Sequence, residues 1–200
     1  MTPAATLEAA AQADATPQAD AYCELSTRFA PCEFRIKWAD SAWERRSAHA
    51  LRRAVFCAEQ GVFFGDDLDA IDERAQPIVA IACVGGLHDQ VVGTVRIHEA
   101  EDGLWWGSRL AVHPSFRRVG RIGATLIRLA VSSAHARGAS VFLAHVQRQN
   151  TPLFEQLHWR VLKPVSVHGR PHDLMQADLN HYPPCHDPIS GYAVQARAGA

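Results

Sequence analysis

No run of apolar residues in this 200-residue chain approaches the roughly 18 that a membrane-spanning helix needs, so the sequence offers no transmembrane segment. The opening stretch MTPAATLEAAAQADATPQAD has neither a basic start nor an apolar centre and does not read as a secretory signal. Cysteine is sparse: Cys23, Cys32, Cys57, Cys83 and Cys185 are scattered, with no CxxC pair and no disulfide framework, the usage expected of reduced thiols in a cytoplasmic protein. Net charge is almost nil. A formal value of -1 provides no whole-molecule field to draw in nucleic acid or a membrane surface, so any anion must be held locally. The phosphate-loop pattern GxxxxGK[ST] and a full GxGxxG are both missing, which lowers nucleotide hydrolysis and dinucleotide binding. The late histidines His158, His168, His172, His181 and His186, with Cys185, lack zinc-finger or HExxH spacing, so no metal is expected.

What is present suffices for one core. A hydrophobic fraction of 48% over this length predicts a single domain over 31–182, between tails at 1–30 and 183–200 that read as disordered. Phe34, Ile36 and Trp38 alternate with charged neighbours, the period of a half-buried strand. Asp40 or Ser41 can cap a helix reaching about Gln60. An acidic loop GDDLDAIDE follows. IVAIACV, VVGTVRIHE and LWWGSRLAV, separated by turn signals at GG, HDQ and EDG, then form a three-stranded antiparallel meander. A helix from about Arg118 to Arg137 leads to the short strand VFLAHV, which can lie parallel to the meander's last strand. Asn150 caps a short helix, and Trp159 to Val167 and His172 to Leu179 read as a closing hairpin. This order predicts an α+β fold with a mixed, mostly antiparallel sheet flanked by helices. The meander's unpaired edges leave room for a homodimer.

The segment RLAVHPSFRRVGRIGATLIRLA concentrates basic residues and glycines where a helix starts. A helix start leaves about four backbone amides unpaired and carries roughly half a positive charge, so it binds anions through the main chain. Gly120 and Gly123 let the backbone approach a phosphate, while Arg117, Arg118 and Arg121 add charge. The segment reads as a diphosphate cradle.

The same segment resembles motif A of the GNAT acyltransferases, in which a strand ending in hydrophobic-x-V-x-P leads into an R/Q-x-x-G-x-G/A loop, and NTPLFEQLHW resembles their motif B helix. The likeness in element order spans about Glu33 to Leu179 and implies the GNAT acyl-CoA N-acyltransferase fold. It implies that the amides of Arg118, Val119, Gly120, Arg121, Ile122, Gly123 and Ala124 hold the diphosphate of acetyl-CoA, the acyl-donor cosubstrate. The main chain of Leu110, Ala111 and Val112 would pair with pantetheine, and Asn150 would sit near the pantetheine arm. Two departures stand out. Arg121 occupies the usual middle-glycine position, and Phe154 replaces a tyrosine that could protonate the leaving thiolate, which a phenyl ring cannot do.

LRRAVFCAEQGVFFGDDLDAIDE is also similar to the acyl-homoserine lactone synthases, with Asp67, Asp69 and Asp72 at the spacing of their acidic set; VVGTVRI and WWGSRLAV are similar through Arg96 and Arg109. Trp106 stands where those synthases carry a glutamate base, which speaks against lactone synthesis. WWGSRLAVHP, FLAHVQRQN, FEQLHWR and HGRPHDLMQADLNHYPP together look most like a bacterial GNAT subgroup described as nitrogen-starvation acetyltransferases.

Transfer to an amine needs a base and an oxyanion donor. Glu99 is a candidate, against the alternative of an exposed turn acid; His145 is another, against a satisfied core histidine. Arg96 and Arg109 either bind a substrate carboxylate bidentately or pair with Asp67, Asp69 or Asp72. Asp69 and Trp106 join them as acceptor-site candidates. The expected reaction is acetyl transfer from acetyl-CoA to an amine of a small molecule by direct attack. Acyl carrier protein as donor and a non-catalytic acyl-CoA sensor are the alternatives.

Overall fold

Strand β1, Glu33–Trp38, keeps its predicted alternation at Phe34 and Ile36, both fully buried, while Glu33 and Arg35 are half-buried. The computed structural model describes residues 31, 33–119 and 121–195. Lys37 departs from the pattern: it is buried because Nζ lies 2.6 Å from Asp40 and 2.9 Å from Glu44. Helix α1, Ala42–Arg53, starts on a reciprocal cap. The Ser41 hydroxyl accepts from the Glu44 amide, and the Glu44 carboxylate accepts from the Ser41 amide. The expected run to Gln60 is completed as a wider π-helical stretch, Ala54–Glu59, which turns Val55 and Phe56 into the core.

The meander is β2 (Gln76–Val84), β3 (Leu87–Glu101) and β4 (Leu104–Val112). Its first turn is Gly85–Gly86, at φ 59° and 80°, so HDQ lies inside β3 and not in the turn that the sequence suggested. Helix α2 starts at Ile122 and ends at His135. Its start falls four residues later than predicted because Pro114–Phe116 forms a 3-10 turn and Arg121 takes φ 54°, in the left-handed region. Strand β5 (Val141–Gln147) then runs parallel to β4, as expected of a strand reached by a crossover helix. Helix α3 (Thr151–Gln156) and the hairpin β6 (Trp159–Val167) and β7 (Arg170–Ala177) follow, with β7 beside β5.

The expected tail at 183–200 is corrected over its described part. Tyr192–Gln195 forms β8, antiparallel to β1, and the Trp38 amide donates to the Pro188 carbonyl at 2.8 Å. Four residues are too few to register as a period, so the pairing carried no signal in sequence. The tail at 1–30 and residues 196–200 lie outside the described residues.

The resulting sheet of eight strands has the order β6-β7-β5-β4-β3-β2-β1-β8, with helices on both faces. Against one face α1 and the π-helical stretch after it pack Ala48, Leu51 and Val55 on Val79 and Ile81. Against the other, α2 approaches so closely that a Cβ at Gly93 would stand 2.9 Å from Leu126 Cδ1 and 3.0 Å from Ile122 Cγ2. Gly93→Val should therefore overpack the β3–α2 contact and cost about 1–3 kcal/mol, measured as a lower midpoint in urea unfolding.

Candidate active site

The parallel pairing of β4 with β5 ends at Gly107↔Ala144. From there β4 stays with β3 to Val112, while β5 stays with β7 to Gln147, and the sheet opens between them. Two residues stand at the opening. At Gly107 a Cβ would meet the Phe142 ring at 3.0 Å. Arg109 takes φ 55°, a left-handed value that costs a non-glycine residue on the order of 1 kcal/mol, at the point where the β3–β4 register slips.

A cavity of about 550 Å³ passes through this opening. Because paired residues share a face, Arg96 and Ser108, His98 and Trp106, and then His145 all look toward α1. On the opposite side the wall is apolar: Val95, Phe142, Ala144, Val146, Ile127 and Phe154.

Three arginines and three aspartates close one edge of the cavity as a ring. Arg52 from α1 reaches Asp67 at 2.8 Å and Asp72 at 2.6 Å. Arg96 reaches Asp72 and Asp69, each at 2.7 Å. Arg109 reaches Asp67 at 2.8 Å and Asp69 at 3.1 Å. Every carboxylate thus holds two guanidiniums and every guanidinium two carboxylates. The Arg96 hydrogen bonds hold the Asp69 carboxyl below its ordinary range against the opposing effect of burial. For Asp72, burial alone would raise the carboxyl, but the hydrogen bonds from Arg52 and then Arg96 reverse it and hold the group far below the usual carboxylate range. Burial, and next the like charge of Arg96, lower Arg109.

The ring is the second of the two arrangements expected for Arg96 and Arg109, pairing with the acidic set. Arg96 turns Nη1 and Nη2 to Asp69 and Asp72 and its Nε to Ser108 at 3.0 Å, while Arg109 turns Nε and Nη2 to Asp67 and Asp69. Arg52, 1% exposed, completes the ring; it lies in the segment LRRAVFCAEQGVFFGDDLDAIDE, of which the sequence reading singled out only the acids.

Glu99 is also corrected. It is exposed, does not line the cavity, and accepts from the Gly103 amide at 3.1 Å, which fixes the β3–β4 turn. His145 does line the cavity, with its ring 5.0 Å from that of Trp106; burial first, then the neighbouring His172, hold its imidazole below the ordinary range. Sequence reading overlooked His98, which lies directly across from Trp106 and is 8% exposed. It stands two residues after Arg96 in VVGTVRIHE, so the period of a strand puts it on the Arg96 face, which is the signal that finds it.

Of the expected cradle, Gly120 lies outside the described residues. Arg118 and Arg121 are exposed at the start of α2, while Arg117 is committed elsewhere: it donates to the Val112 carbonyl at 3.1 Å and pairs with Glu59 at 2.5 Å. Ile122 is buried, Val119 and Ala124 are half-buried, and a Cβ at Gly123 would find only Val112 Cγ2, at 3.8 Å, so the space between the helix start and the end of β4 is open. Leu110 lines the cavity and Ala111 packs in the α1-side core. Asn150 lines the cavity but makes no side-chain cap; Thr151 instead donates to Asp173 at 2.7 Å.

A mixed sheet opened at a bulge beside a helix start defines the acyl-CoA N-acyltransferase fold. Residues 30–159 match the model of the acetyltransferase (GNAT) family, and the chain belongs to that family. A Bacillus subtilis protein, an acetyltransferase by name, is 29% identical over 146 residues, 70% of this chain and 93% of its own. The crystal structure of an N-acetyltransferase, so named, from Lactobacillus plantarum matches with a TM-score of 0.64 at 25% identity, over 72% of this chain and 97% of that one. The CoA-dependent acyl-homoserine lactone synthase BjaI, solved with SAM and isopentyl-CoA, shares the fold at a TM-score of 0.54 and 16% identity, over 70% of this chain and 78% of its own.

Asp72→Asn should leave Arg52 and Arg96 short of a partner and cost about 3–5 kcal/mol in chemical unfolding. Since the folded carboxyl titrates below the unfolded value of about 4, its contribution is present above that pH and is lost as the pH falls further. Stability measured from pH 6 down to about 2 should drop more steeply in the parent than in Asp72→Asn.

Proposed function

We propose that the protein transfers the acetyl group of acetyl-CoA to an amine of a small molecule by direct attack in a ternary complex. The observation that carries this reading is the open angle between β4 and β5 next to the start of α2. Main-chain groups of Leu110–Val112, past the end of the β4–β5 ladder, suit the amides of pantetheine. The first-turn amides of α2 lack carbonyl partners within the helix and suit the diphosphate, with Arg118 and Arg121 beside them. Gly123 keeps that approach clear. Acetyl-CoA supplies an activated acyl group; the chain's part is to hold it, exclude water and take a proton from the amine. The second-half segments that resemble the nitrogen-starvation subgroup supply a context of nitrogen metabolism in a bacterial cytoplasm.

The apolar wall on the α2–α3 side favours one second reading, a longer acyl donor, including one carried by acyl carrier protein. Titration calorimetry with acetyl-CoA tests the first. Binding with a dissociation constant on the order of micromolar, weakened about tenfold or more by Arg118→Ala with Gly123→Asp, is the expected result. Absence of binding by the parent protein, together with acylation from acyl carrier protein, overturns the acetyl-CoA assignment.

A further inference from the structure

The cavity wall toward α1 carries imidazoles where an acyltransferase would need a free carboxylate. Asp69, the one carboxylate lining the cavity among the described residues, is gripped by Arg96 and Arg109. What remains able to take a proton is histidine, and the candidates differ sharply. Nδ1 of His172 is engaged with the Arg170 carbonyl at 2.9 Å. The ring of His168 packs edge-on against Phe63 at 4.7 Å, and that of His145, desolvated only on the side turned to the cavity, is open to solvent on the other beside Trp106. His98 alone combines burial, at 8% exposure, with a buried Nδ1 that has no hydrogen-bond partner in the described structure, and it lines the cavity. A buried ring nitrogen left unpaired is unfavourable for the folded chain unless something else completes it.

We propose that the His98 ring turns Nδ1 to the reacting amine as the acceptor binds, that His98 is the base of the acetyl transfer, and that the acceptor is an uncharged, weakly basic amine of the aromatic class. The inference rests on the acetyl-transfer reading. It follows from charge as much as from position. An alkylammonium entering this wall would need an unspent anion, and the ring of ion pairs cancels internally. Aromatic faces do not substitute for one, because the Arg109 guanidinium already covers Phe63 at 4.5 Å and His145 packs on Trp106. An arylamine arrives neutral, needs no anion, and meets the ring of Phe56, which also lines the cavity.

The step balances with His98 as its Nε2–H tautomer. The amine nitrogen attacks the thioester carbonyl, the C–N bond forms and the C–S bond breaks. The proton of the new ammonium passes to Nδ1, and the imidazolium returns it through water to the departing thiolate. Phe154 and the other apolar residues of the far wall have no proton to give. Burial, then the positive charges of Arg74 and Arg96, hold the His98 imidazole below its ordinary range, with Asp69 opposing; His145 faces it across Trp106. The ring is therefore neutral and ready to accept at pH 7.

The test uses the full chain with acetyl-CoA, a series of substituted anilines, and alkylamines of matched size. The expected result is a kcat/KM for anilines about 100-fold above the alkylamines, and a loss of about 10²–10³ in kcat for His98→Gln with acetyl-CoA affinity unchanged. Turnover that favours alkylamines, or a His98→Gln variant within about threefold of the parent kcat, overturns the inference while leaving acetyl transfer intact. A parent protein that does not bind acetyl-CoA overturns both. If His98→Gln itself fails to bind acetyl-CoA, the amine preference of the parent protein decides alone, with a preference for alkylamines overturning the proposal.

Discussion

A closed ring of ion pairs, Arg52–Asp67–Arg109–Asp69–Arg96–Asp72, is the constraint on which the site depends. Arg52, Arg96 and Asp67 are at most 2% exposed, so each charge is taken out of water and must be answered inside the protein. Alternation of sign around the ring answers all six at once, and no member can leave without stranding two neighbours. Burying charge in this way is a poor source of stability, since well-packed apolar residues could do as well. What the ring supplies is position. It ties α1, β3 and β4 to the segment that carries Asp67, Asp69 and Asp72, and so seats that segment over the opening in the sheet.

The opening depends on the same ties. Arg109 sits at the bulge in β4 with φ 55°, a conformation its side chain would not choose, and its guanidinium is fixed by Asp67 and Asp69. The strain at the bulge and the ion pairs beyond it are two ends of one residue. The other end of the covering segment is held separately: Gln147 donates to Gln60 at 3.0 Å, and Arg170 donates to the Gln60 carbonyl. The walls of the cavity are thereby set by polar contacts, while the apolar faces of α1 and α2 fix the sheet behind them.

This division explains what could be read in the sequence. Elements with a clear period, such as Phe34 and Ile36 in β1 or the parallel β5, emerged from pattern alone, because burial on one face imposes that pattern. Motif A marked the helix start through its glycines and arginines. The ring was only half legible: the spacing of Asp67, Asp69 and Asp72 was visible, but a charge pattern does not say whether arginines from distant strands will face a ligand or face those acids. Glu99 shows the same limit in reverse. Its place at the end of a strand resembled that of a base, yet the register turned it to the Gly103 amide. β8 was invisible because its partner is remote and its length is four residues.

Self-neutralisation of the ring also shapes the chemistry left to the site. With its acids and bases matched, the wall toward α1 presents no net charge to an acceptor, and the strand that carries Arg96 places His98 two residues on, on the same face. Arg96 then acts on His98 twice. Through its pairing it removes the nearby aspartates from competition for a proton, and through its charge it disfavours a resting imidazolium. A base that is buried, neutral and unpartnered needs an acceptor able to reach it without a charge of its own. In this molecule the character of the acceptor is thus set by an ion-pair network that need not touch it.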